Sequence, residues 1–141
     1  MGRKIVVIDD DAQFHELMEI VLKRRLAAEV VRYATGQISP EDLSRHRPDV
    51  IILDLVMPEI SGWDLLKTLR QNEHTEGIPV LVLSAAVREL RAMAKELGAM
   101  PNTAYMEKPF EIDKLFDVLE RLNSQASSSL ATTAAEAPNA G

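Results

Sequence analysis

Two short aliphatic runs that each end in acid constrain this chain more than anything else in it. Ile5-Val6-Val7-Ile8 is followed by Asp9-Asp10, and Val50-Ile51-Ile52-Leu53 is followed by Asp54. Four consecutive β-branched or aliphatic residues bounded by charge read as strands buried on both faces, which is the pattern of a parallel sheet covered by helices. If the two strands are parallel neighbours, Asp9, Asp10 and Asp54 meet at the carboxyl edge of one sheet, where open α/β sheets place their chemistry. Three like charges there repel, so a cation or a retained proton is expected. An all-oxygen donor set, with no cysteine in the chain and only three histidines, favours Mg2+ over zinc. An acid cluster that attracts Mg2+ suits phosphoryl chemistry.

The rest of the chain alternates in the manner this reading needs. Phe14, Leu17, Met18, Val21 and Leu22 fall at helical spacing after Asp11, which reads as an N-cap. Glu29 to Tyr33 reads as a second strand. Ser39-Pro40-Glu41-Asp42 has the chemistry of a helix start: a capping hydroxyl, proline at the first helical position and acids in the first turn. Gly62 opens a third helix carrying Leu65, Leu66 and Leu69. Val80 to Leu83 forms a fourth strand closed by Ser84. A fourth helix carries Leu90, Met93 and Leu97, with Gly98 as its expected C-cap. Ala104 to Glu107 reads as a fifth strand, and Ile112, Leu115, Phe116, Leu119 and Leu122 form the inner face of a last helix. Five strand–helix repeats imply a doubly wound α/β fold.

Composition narrows the partners. A net charge of −6 without a basic stripe argues against direct nucleic-acid binding. Lack of cysteine excludes disulfide and thiol chemistry. No run approaches the length of a membrane span, and Met1-Gly2-Arg3-Lys4 leads into too few aliphatics for a signal peptide, so no membrane association and a cytoplasmic location are expected. From Gln125 onward the sequence reduces mostly to Ala, Ser, Thr, Pro, Asn and Gly; residues 125–141 are expected to be a disordered tail or linker after a domain spanning 1–124. No output-domain motif follows residue 123, which fits either a single-domain regulator or part of a longer chain.

Two further residues stand where strand ends should approach the acids, Ser84 and Lys108 with Pro109 behind it, and Asp54 itself can be a nucleophile. With Ile8-Asp9-Asp10, Asp54-Leu-Val-Met-Pro58, Gly62, Leu83-Ser84-Ala85 and Lys108-Pro109-Phe110 in this order and spacing, the sequence resembles the receiver domain of two-component response regulators over about residues 4–123. The resemblance implies a flavodoxin-like (βα)5 fold with strand order 2-1-3-4-5. It implies transfer of a phosphoryl group to Asp54 from a histidine kinase or phosphotransfer protein, and slow autodephosphorylation past Val56 and Ala86. Such a domain is a switch rather than an enzyme. The implied Mg2+ ligands are Asp10, Asp54 and the Val56 backbone carbonyl, with Asp9 acting through water. The Lys-Pro bond would be cis and aim Lys108 inward. Ser84 and Tyr105 would form the switch, read out on the surface of the fourth helix, fifth strand and fifth helix by a downstream protein or output domain.

Other readings fit less well. A receiver-like domain that binds without phosphorylation normally lacks an acid or the lysine, and all are present. A phosphohydrolase usually has a second acid two residues past its nucleophile, where this chain has Val56. An FMN-binding protein needs a hydroxyl-rich phosphate loop after the first strand, and acids stand there instead. Tyr105 alone would read as core, and His15, His46 and His74 lie on polar stretches with no catalytic role expected.

Overall fold

A computed structural model describes residues 3–128. Its strands are β1 (Lys4–Ile8), β2 (Glu29–Tyr33), β3 (Val50–Asp54), β4 (Val80–Ser84) and β5 (Thr103–Glu107), and its helices are α1 (Ala12–Leu26), α2 (Pro40–Arg45), α3 (Gly62–Arg70), α4 (Val87–Ala92), α5 (Ala94–Ala99) and α6 (Ile112–Ser128). The strands form one sheet in the order β2-β1-β3-β4-β5, every neighbouring pair parallel. This is the flavodoxin-like, doubly wound arrangement. It has one departure from (βα)5: two short helices replace the expected fourth one.

The alternation of side chains along each strand sorts the aliphatic runs onto two faces. Ile5, Val7, Val50, Ile52, Leu81 and Leu83 face α1 and α6, meeting Met18, Leu22, Leu115 and Leu119. Val6, Ile8, Ile51, Leu53, Val80 and Val82 face the other helices, meeting Leu43, Leu65, Leu66, Leu69, Leu90 and Leu97. The three central strands are therefore buried almost throughout, while β2 and β5 at the edges are only half-buried.

Local signals set the first three helix starts. Asp11 caps α1 by accepting from the Gln13 and Phe14 amides at 3.0 and 3.4 Å. Ser39 caps α2 through the Asp42 amide, and Ser61 caps α3 through the Asp64 amide. The expected C-cap at Gly98 is not found. Gly98 lies inside α5, which ends at Met100 in an extended conformation, as the following Pro101 requires. The break between α4 and α5 falls at Met93, with φ −101° and ψ 0°. Neither glycine nor proline stands there to announce it. At the other end, α6 continues to Ser128, four residues into the segment expected to be tail or linker. No proline or glycine interrupts the chain between Phe110 and Ser128. The remainder of that expectation, residues 129–141, lies outside the described residues. No helix among the described residues is long and apolar enough to cross a membrane.

Half-buried Arg70 ties the start of β5 to the loop before β4. Its guanidinium donates to the Ile78 and Asn102 carbonyls at 2.8 and 3.0 Å and to Thr103 Oγ1 at 2.8 Å.

Candidate functional site

Pairing β1 with β3 in parallel, Ile8 opposite Leu53, brings the two acid-terminated runs to the same edge. One carboxylate oxygen each from Asp9, Asp10 and Asp54 lie within 4.8 Å of one another. Their burial is graded: Asp9 is 1% exposed, Asp54 is 9% exposed, and Asp10 is open to solvent.

The loop holding these acids is tightly tied. Asp9 Oδ1 accepts from the Asp11 amide at 2.9 Å, and Asp9 Oδ2 accepts from Lys108 Nζ at 2.6 Å. The Asp9 amide donates to the Tyr33 carbonyl at 3.1 Å. Asp54 receives far less: the Val56 amide reaches its Oδ1 at 3.4 Å. Burial, and next the negative charge of Asp9, push the Asp54 carboxyl up to about 6, with Lys108 opposing them. Asp54 is therefore mostly ionised at neutral pH, but its charge is underpaired.

Gly62 sets how close α3 comes to the strand that ends in Asp54. Its amide donates to the Leu55 carbonyl at 2.7 Å, and a Cβ at this position would overlap the Asp54 carbonyl and crowd Leu55. The spacing from Asp54 to Gly62 thus has a steric cause: only a residue without a side chain lets the helix begin there.

Ser84, at the end of β4, is fully buried; its Oγ accepts from the Ala86 amide at 3.0 Å, leaving its own proton free to donate. Its carbonyl accepts from the Lys108 amide at 2.9 Å, which fastens the lysine's backbone to β4. The Lys108–Pro109 bond is cis, as the resemblance implied. Tyr105 pairs with Val82 and is half-buried against the core under α2 to α5. The Val56 side chain is half-exposed beside the cluster.

Two residues carry more than the sequence disclosed. His15 is buried, with Nε2 2.6 Å from the Asp9 carbonyl and Nδ1 without a partner. A single histidine among polar neighbours gives no sign of this; its place on the inner face of α1, one residue after Phe14, was the available clue. Phe14 reads from sequence only as core, yet its ring lies under the Lys108 ammonium.

An edge with three clustered carboxylates, a lysine and a buried hydroxyl defines an anionic, oxygen-donor pocket able to take a divalent cation and to stabilise added phosphoryl charge. The fit to Mg2+ rests on the donor set and on the unbalanced charge around Asp54. Comparison with known proteins agrees with this class. The chain matches the response regulator receiver domain over residues 5–120, and it belongs to that family. It is 32% identical over 115 residues to the DNA-binding dual master transcriptional regulator RpaA of Synechocystis, covering 79% of this chain but 45% of that protein. It is 28% identical to sporulation initiation phosphotransferase F of Bacillus subtilis, covering 86% of this chain and 94% of that one. The chain thus spans about half the length, or less, of the transcriptional regulators it matches. Among solved structures, the receiver domain of sensor histidine kinase PA1611 from Pseudomonas aeruginosa superposes with a TM-score of 0.74 at 26% identity, covering 88% of this chain and 99% of that one. That structure has a magnesium ion coordinated in its active site cleft.

Proposed function

We propose that Asp54 is the phosphoacceptor of a Mg2+-dependent switch that takes its phosphoryl group from the phosphohistidine of a kinase or phosphotransfer protein, in the cytoplasm. The observation that carries this reading is the acid cluster with Lys108 lodged on Asp9 beside it. An Asp54 carboxylate oxygen attacks phosphorus, the bond from phosphorus to the donor's nitrogen breaks, and the imidazole leaves with the electron pair. Asp10, Asp54 and the Val56 backbone carbonyl would hold Mg2+, with Asp9 acting through water; the ion supplies positive charge to the phosphoryl oxygens. Lys108 offers its ammonium to one of those oxygens, and Ser84 donates its free hydroxyl proton to another.

The new charge, roughly −1.5 to −2, is what the switch reads. Ser84 turns toward it, Tyr105 packs inward behind the hydroxyl, and the surface of α4, α5, β5 and α6 changes for a downstream protein or output domain. Val56 and Ala86 offer no hydrogen bond to a hydrolysing water, so the phosphoryl group is lost slowly.

Intact-mass measurement after exposure to acetyl phosphate and Mg2+ tests the assignment. One phosphoryl adduct is expected on wild type and none in EDTA or on Asp54→Asn. Asp10→Asn should need much more Mg2+ for the same rate, and Asp11→Ala should not, because Asp11 caps α1. An equal adduct on Asp54→Asn would refute the acceptor, and an unchanged Mg2+ requirement in Asp10→Asn would refute the ligand.

A further inference from the structure

Resting on the phosphoacceptor reading, we propose that Phe14 is a positioning residue for Lys108: the face of its ring seats the ammonium beside Asp9 and so speeds phosphoryl transfer to Asp54. Lys108 Nζ lies 4.0 Å from the centre of the Phe14 ring while 2.6 Å from Asp9 Oδ2. The seat is dry. Phe14 is 8% exposed, and the side chains of Lys108 and Asp9 are 17% and 2% exposed. An ammonium over a ring face is attracted by the ring's negative quadrupole, most strongly where water is excluded.

The ring is fixed by the same elements that carry the acids. Phe14 stands in the first turn of α1, and its amide donates to the Asp11 cap. His15, next in the chain, touches the Asp9 carbonyl through Nε2. On the other side, Phe110 meets Phe14 at 85° with ring centres 6.4 Å apart, so the segment carrying Lys108 also touches the ring. A lysine is a point charge on a flexible four-carbon stem. Asp9 alone holds one of its three donors; the ring face under Nζ keeps the ammonium from swinging toward solvent. Leucine would fill part of the core volume without attracting the charge.

Phe14 is replaced in turn by 4-fluoro-, 3,5-difluoro- and 3,4,5-trifluorophenylalanine, which nearly keep the ring's shape while draining its face of negative potential. Phe14→Leu completes the series, and thermal unfolding checks that each variant folds. In unphosphorylated, metal-free protein the Lys108 Hε resonances, shielded by the ring in wild type, should move stepwise toward the values of a solvated lysine. The initial rate of modification by acetyl phosphate with Mg2+ should fall in the same order, by roughly tenfold at the trifluoro ring. Lys108 resonances unmoved across the series would overturn the seat, and an unmoved rate would overturn its part in transfer. Should wild type accept no phosphoryl group, the phosphoacceptor reading fails by itself, and the resonances still decide whether Phe14 holds Lys108.

Discussion

The acid edge and the face that packs on β5 are built from the same kinds of element but joined very differently. At the acid edge, α1 and α3 start from side-chain caps at Asp11 and Ser61, Gly62 lets α3 press against the backbone of β3, and Asp9 is tied by its amide, carbonyl and carboxylate. On the other side, α4 and α5 have six residues each, begin without side-chain caps, part at Met93 and lean on a half-buried strand. Short, uncapped helices derive little stability from their own backbone and depend on docking. The contrast fits the two physical demands of the proposed switch: reacting groups must be held still, whereas a surface that reports their state must rearrange at small cost.

The largest effect that tests this contrast should come from the rigid side. Gly62→Ala forces a methyl group into the Asp54 carbonyl, so the protein should lose about 3 kcal/mol or more in urea unfolding. A loss below about 1 kcal/mol would mean that the floor under the acids gives way easily.

Charge gives an intermediate effect with a definite sign. The folded-state value of Asp54, about 6, lies above its ordinary 3.8, so the folded protein binds the proton more tightly. The resulting stability is complete below about pH 3.8 and is lost as pH rises through about 6. Asp54→Asn has no such proton to lose. In EDTA at pH 7 it should therefore be more stable than wild type by roughly 2 kcal/mol, with the gap closing toward pH 4. Parallel stability curves for the two proteins would disprove the buried charge penalty.

The smallest effect belongs to the proposed reporting face. Arg91 on α4 reaches Glu107 at the end of β5 at 3.0 Å, but both side chains are largely in water. Arg91→Ala should change global stability by less than about 1 kcal/mol while speeding hydrogen exchange in α4. A larger global loss would erase the proposed difference between the two sides.

The same contrast explains what could be read in the sequence. β1, β3 and β4 are legible because burial on both faces forces aliphatic runs, and Asp11, Ser39 and Ser61 are local chemical signals for helix starts. The acids, Ser84 and Lys108 are legible as a set because each follows a strand and parallel pairing gathers strand ends. The break at Met93 and the passage of α5 through Gly98 are not legible, since packing against the sheet decides them and no backbone-restricting residue stands at the break. His15 and Phe14 were missed for another reason. Their partners, a backbone carbonyl six residues back and a lysine 94 residues on, leave no periodic trace.

The ion pair between Asp9 and Lys108 joins residues 99 apart in the chain. Ribosomal synthesis therefore delivers all three acids long before the lysine that partly offsets them. In the folded protein the pairing of Thr103–Glu107 with β4 and the hydrogen bond from the Lys108 amide to the Ser84 carbonyl hold Lys108 in place. A chain that stops before residue 108 carries the three acids without this counter-charge. On the proposed reading, a copy that stops before Lys108 would lack the lysine that steadies an incoming phosphoryl group and would not be competent to signal.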